Sequence, residues 1–133
     1  MIPATHRMTV RVRYAEVNRL GRLRGSCCAV YLEMGRTEML RTTGMTYRDL
    51  EAAGAYLVVA RLRMTFHAPA RYDDLLTLET AVTRATSARI DHHYRLLRDG
   101  VLLAEADTTL ACVSRDGQVR RMPGALLSVL GVE

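Results

Sequence analysis

Between Ser26 and Thr42 the chain reads Ser-Cys-Cys-Ala-Val-Tyr-Leu-Glu-Met-Gly-Arg-Thr-Glu-Met-Leu-Arg-Thr, a helical stretch with almost no polar face. A helix that is apolar nearly all round is a buried helix. In a chain of 133 residues this leaves room for one such helix and a single sheet wrapped around it. The preceding segment, Tyr14 to Gly25, ends a strand and then forms a Gly-bearing loop. A loop entering a helix delivers unsatisfied backbone N–H groups to any negative charge nearby. That arrangement suits a site that stabilises an oxyanion. Ser26 is the expected N-cap, and Gly44 stands where a C-cap glycine belongs. Gly35 costs the helix about 1 kcal/mol relative to Ala, which marks a close approach of the helix to the sheet.

After Gly54 the period changes from helical to two. Val58, Ala60, Leu62, Met64 and Phe66 are expected on one face, with Val59, Arg61, Arg63, Thr65 and His67 on the other. Pro69 closes that strand, and Ala70 to Asp74 turns the chain. Leu76, Leu78, Thr80 and Val82 give the next inner face, and Ile90, His92, Tyr94 and Leu96 the one after. Asp99-Gly100 is a tight-hairpin signal ahead of a last long strand, Leu102 to Val113. Thr5 to Tyr14 alternates as a first strand, Tyr47 to Ala53 is a short helix capped by Thr46, and Met122-Pro123 leads into a C-terminal helix. The class is α+β with a largely antiparallel sheet, in one domain spanning 1–133.

Composition removes several function classes. All 19 basic residues are Arg, which excludes a Lys Schiff base or a P-loop Lys and favours bidentate grips on phosphate. The net charge is +5, but there is no Trp and the Arg residues are scattered, which does not make a nucleic-acid footprint. No apolar run is long enough to span a bilayer and no signal-type segment opens the chain, so a cytoplasmic protein without a membrane partner is expected. Cys27, Cys28 and Cys112 lack metal-ligand spacing, and the residues call for no metal or cofactor. Cys28 near a helix start is either a buried apolar residue or a nucleophile.

Four segments carry a resemblance: Val12-Arg-Tyr-Ala-Glu-x-Asn18-x-x-Gly21, Tyr31-Leu-Glu-x-x-Arg-Thr-Glu38, Gly44-Met-Thr-Tyr-Arg-Asp-Leu50 and Phe66-His-Ala-Pro-Ala-Arg-Tyr-Asp-Asp74. Together they resemble hotdog-fold acyl-CoA thioesterases of the 4-hydroxybenzoyl-CoA thioesterase and YbgC-like branch, from about Thr5 to Pro123. The resemblance implies an antiparallel sheet around one long helix, homodimers or homotetramers, and an active site at the dimer interface. Two positions depart from the pattern. The usual catalytic Asp is Asn18, and a His common seven residues later is Gly25. Asn18, Gly21 and Arg36 resemble locally the thioesterases of enediyne polyketide synthases.

On that resemblance the substrate is an acyl-CoA or acyl-carrier-protein thioester. Gly25 would polarise the carbonyl through its N–H and Asn18 would hold water. Tyr14 or Arg36 would assist, and Glu33 or Glu16 would supply a base. Glu33, inside an apolar helix, is expected to pair with Arg36, while Glu16 at a strand end is expected to be solvated. His92 is expected as a hydrogen-bonded core residue. Arg61, Arg63 and Arg71, with His67 nearby, are the candidate grip for CoA phosphates. The alternatives are an acyl-CoA-binding protein whose catalytic site has decayed, motivated by Asn18 and Gly25, and a structural homo-oligomer.

Overall fold

The structure, a computed structural model, describes residues 1–131. Five strands form one sheet: β1 (His6–Arg11), β2 (Tyr56–Phe66), β3 (Leu75–Ala85), β4 (Ile90–Arg98) and β5 (Val101–Val113). Their spatial order is β1-β3-β4-β5-β2 and every pairing is antiparallel. Among the described residues three α-helices accompany them: α1 (Gly25–Arg41), α2 (Tyr47–Ala52) and α3 (Gly124–Val129). The long helix α1 lies on the inner face of the sheet, and the chain has the α+β architecture expected of it.

Local chemistry sets several of these boundaries. Thr46 Oγ1 accepts from the Asp49 amide at 3.1 Å and starts α2. Asp99 and Gly100 both have positive φ (49° and 79°), the geometry of a two-residue hairpin between β4 and β5. Gly35 is where α1 meets β3: an ideal Cβ there would lie 2.5 Å from Thr80 Oγ1 and 2.7 Å from Leu78 Cδ2. Side chains directly opposite on antiparallel strands share a face. The inner face therefore reads across the sheet in rows: Met8, Leu78, Leu96, Ala104 and Phe66 in one, Val82, His92, Thr108 and Leu62 in another.

The chain turns at Ala70–Asp74 as expected, and because β2 pairs with β5 this segment carries it across the sheet to β3. Three expectations need correction. Ser26 is not the N-cap of α1; Arg24 is, and no side chain caps that end. Val58 does not share a face with Leu62, and Val59 does, because a bulge between Val59 and Arg61 resets the alternation against β5. And α1 is not buried all round. Cys28, Tyr31, Leu32, Gly35, Met39 and Leu40 are buried, while Val30 and Met34 are exposed. A five-stranded sheet covers one side of a helix, and the other side faces outward.

Candidate active site

The crossover from β2 to β3 and the Tyr14–Gly25 loop are tied together. The Leu23 amide donates to Ala70 O at 2.8 Å, and Arg22 pairs with Arg71 in an isolated antiparallel bridge. Between these segments lies a cavity of about 300 Å³. Asn18 and Arg22 border it on one side, Phe66, His67 and Pro69 on the other, with Leu96, Leu103 and Ala104 of the sheet behind.

Asn18 is an organising residue of its loop. Its Oδ1 accepts from the Leu20 amide at 2.9 Å and the Arg22 amide at 3.2 Å. An amide carbonyl has two lone pairs, and both are used. The remaining polar atom that Asn18 can offer is Nδ2, a donor.

Gly25 begins α1, and Phe66, a wall of the cavity, packs on it: an ideal Cβ at Gly25 would be 3.7 Å from Phe66 Cζ. The Cys27 and Cys28 amides both donate to Arg24 O at 3.0 Å, whereas the Gly25 and Ser26 amides have no protein partner among the described residues. With no acidic residue in its first turn, this end of α1 keeps its positive dipole uncompensated.

The loop is fixed from below by Glu16, which is 5% exposed and is the buried acid among the described residues. Its Oε1 accepts from the Tyr31 hydroxyl at 2.6 Å and the Arg13 amide at 2.8 Å; its Oε2 accepts from the Arg13 guanidinium at 3.1 Å. Burial pushes the carboxyl up, and these bonds outweigh it and hold it below its usual range. Burial, then the bond to Glu16, pushes the Tyr31 phenol far above its ordinary value. The expectation of a solvated Glu16 is thus reversed, because the short 3-10 turn at Tyr14–Glu16 folds its side chain inward onto α1. Spacing hides this, since Tyr31 is fifteen residues on.

The other residues singled out from sequence fall in different places. Tyr14 is 78% exposed and meets Tyr72 edge-on, with ring centroids 5.5 Å apart. Arg36, eleven residues beyond Gly25, lies about 16 Å further along α1. Arg36 and Glu33 border a separate, smaller pocket of about 120 Å³ with Tyr47 and Glu51. Glu33 is exposed and makes no ion pair with Arg36 or any other described residue. It sits on the outward side of α1, so the expected buried pair is absent. Arg61 and Arg63 lie on the sheet's outer face beside a polar groove of about 250 Å³, where Arg63 is 3.7 Å from Asp107. Arg71 stands apart from them, beside the Asn18 cavity. His67 continues the outer-face alternation of Arg63 and Thr65, and its Nε2 is 3.1 Å from Glu105 Oε2.

Two buried groups bear on reactivity. Burial, with Cys27 beside it, pushes the Cys28 thiol up to about 11, so it is a packing residue and not a nucleophile at neutral pH. His92 is 4% exposed, but its Nδ1 has no hydrogen-bond partner, contrary to expectation. Burial and then the Arg36 charge bring its pKa down to about 4, so the ring is neutral.

The family model of the thioesterase-like superfamily matches residues 12–130. The chain belongs to that superfamily. Among curated relatives of this thioesterase-like chain, the acyl-CoA thioesterase YbgC of Haemophilus influenzae is 34% identical, covering 78% of this chain and 77% of its own. The acyl-CoA thioester hydrolase YbgC of Escherichia coli is 31% identical over 80% of this chain and 81% of its own. Among solved structures, a hypothetical protein of Thermus thermophilus superposes with a TM-score of 0.88 at 35% identity, covering 94% of this chain and 96% of that one.

Proposed function

We propose that the chain hydrolyses acyl thioesters of CoA or of a carrier protein at the Asn18 cavity. Water adds to the thioester carbonyl carbon, the C–S bond breaks, and the products are a free acid and a thiol. The observation that carries this reading is the open start of α1. Unpartnered Gly25 and Ser26 amides at the positive end of a 17-residue helix, together with Asn18 Nδ2, are donors suited to a developing oxyanion.

The described residues bordering the cavity include no carboxylate. Glu16 has both oxygens engaged, and the His67 ring is turned to the outer face. The natural protein is therefore a slow hydrolase that works by polarising the carbonyl. In Asn18→Asp, one carboxylate oxygen keeps the Leu20 and Arg22 amides and the other becomes a base. Positioned acid–base catalysis contributes about 10²–10⁴-fold. A panel of acyl-CoAs, assayed by released thiol, is expected to show slow turnover by the natural protein and a rise of that order in Asn18→Asp. Activity in neither protein refutes the reading. Non-catalytic acyl-CoA binding is the second reading, favoured by the loss of a carboxylate at position 18. Tight binding of a non-hydrolysable CoA thioether without turnover by either protein would establish it.

We further propose that two copies pair along β2. This strand is one of the sheet's two edges, eleven residues long, and it exposes Val58, Val59, Leu62 and Phe66. A long apolar edge is a template for another strand, and Val30 and Met34 of α1 are exposed as well. Arg36 is too far along α1 to reach the Asn18 cavity of its own chain, so it serves that cavity from the second copy or not at all.

A further inference from the structure

The two loops that border the Asn18 cavity carry, as its rim, exposed aromatic side chains beside unpaired arginines. Tyr14, Leu20 and Tyr72 are 78%, 70% and 53% exposed, and the two tyrosines are in contact. Around them Arg19, Arg22 and Arg24 are exposed, and none forms an ion pair among the described residues; Arg24 Nη2 donates instead to Ala15 O at 2.6 Å. The one acid in the Tyr14–Arg24 segment is Glu16, which is buried. At the border, Asp74 is held by Arg98 at 2.8 Å, and Asp73 lies 4.0 Å from Arg11. Elsewhere some cations are matched, Arg7 and Arg95 by Glu79, Arg89 by Asp91 and Arg41 by Glu38, while others such as Arg61, Arg84 and Arg115 form no ion pair among the described residues and stand without exposed aromatic neighbours of this kind.

A surplus of unmatched guanidinium groups mixed with exposed aromatic side chains is the composition of a protein-binding surface. The phosphates of a nucleotide would use the charges and leave two tyrosines and a leucine in water. We infer that this rim docks an acidic carrier protein, which presents the acyl thioester on its phosphopantetheine arm to the cavity behind. The inference rests on the thioester-hydrolase reading and chooses between its two substrate forms. Complementary charge on both sides raises the association rate and makes it sensitive to salt.

The test uses octanoyl-loaded acyl carrier protein, octanoyl-CoA and octanoyl-pantetheine as substrates. For the natural protein, kcat/KM is expected to be highest on the carrier protein and to fall as sodium chloride is raised. Arg19→Glu and Tyr72→Ala are each expected to lose about 10-fold on the carrier protein, with octanoyl-pantetheine turnover unchanged. Binding of the unacylated carrier protein, measured by fluorescence anisotropy, should weaken by the same factor. Equal losses on octanoyl-CoA and the carrier protein would mean that the rim reads CoA phosphates, and would overturn the inference. So would an absence of carrier-protein binding. If nothing is hydrolysed while salt-sensitive binding and its loss in both variants persist, docking stands and the hydrolase reading fails.

Discussion

Replacing Gly35 by Ala tests the contact that sets how far α1 stands from the sheet. In an ordinary helix interior this change stabilises by about 1 kcal/mol. Here the new methyl would sit 2.5 Å from Thr80 Oγ1 and 2.7 Å from Leu78 Cδ2, where contacts between non-bonded carbons are normally about 3.5–4.0 Å. Thr80 and Leu78 are both fully buried on β3 and have nowhere to retreat, so the helix must move outward by about 1 Å. Overpacking of this kind costs about 1–3 kcal/mol. With two contacts under 3 Å the upper part of that range applies. Net of the propensity gain, the variant should lose about 1–2 kcal/mol. At an unfolding entropy of about 2.1 cal/mol/K per residue, this is a fall in Tm of about 4–7 °C, read by calorimetry. Gly35→Ala combined with Thr80→Ala should recover part of the loss, giving a favourable coupling between the two positions. An unchanged or higher Tm in the single variant would show that the helix does not rest on β3 as described.

Tyr31→Phe removes a buried bond to a carboxylate and should cost about 1.5–3 kcal/mol in a denaturant titration; no loss would mean that Glu16 is satisfied without it. His92 is neutral when folded and has a folded pKa of about 4, below that of a free imidazole, so the unfolded chain binds the proton first as pH falls. Stability should therefore decline between pH 6.5 and 4 in the natural protein, and His92→Leu should flatten that decline. Glu16, Asp74 and Asp91 are held below the usual carboxylate range, and their contribution is lost at still lower pH, as they are protonated. Leu62→Lys on the exposed edge strand should shift sedimentation toward a single copy, whereas an unchanged profile would argue against pairing there.

What the sequence made legible was local. The Thr46 cap, the Asp99-Gly100 turn and the close approach at Gly35 each depend on a few neighbouring residues, and each is where spacing placed it. What escaped depends on contacts distant in sequence. The bulge after Val59 is set by pairing with β5, so alternation alone assigned Val58 and Val59 to the wrong faces. Glu16 looked solvated because nothing near it shows that Tyr31 waits beneath the loop. Asn18 and Pro69 could be named from their motifs, but that they border one cavity follows from the bond between Leu23 and Ala70. The three arginines proposed as one phosphate grip were near in sequence and are divided by the crossover that carries Arg71 away from β2.

The carbonyl of Asn18 is spent on the amides of its own loop. That segment consequently holds its shape before any ligand arrives, and entry of an acyl group spends none of its affinity on ordering it. Slowness in this protein would thus be chemical rather than conformational in origin, and exchanging a single side-chain nitrogen for oxygen would alter reactivity within a receptacle already set.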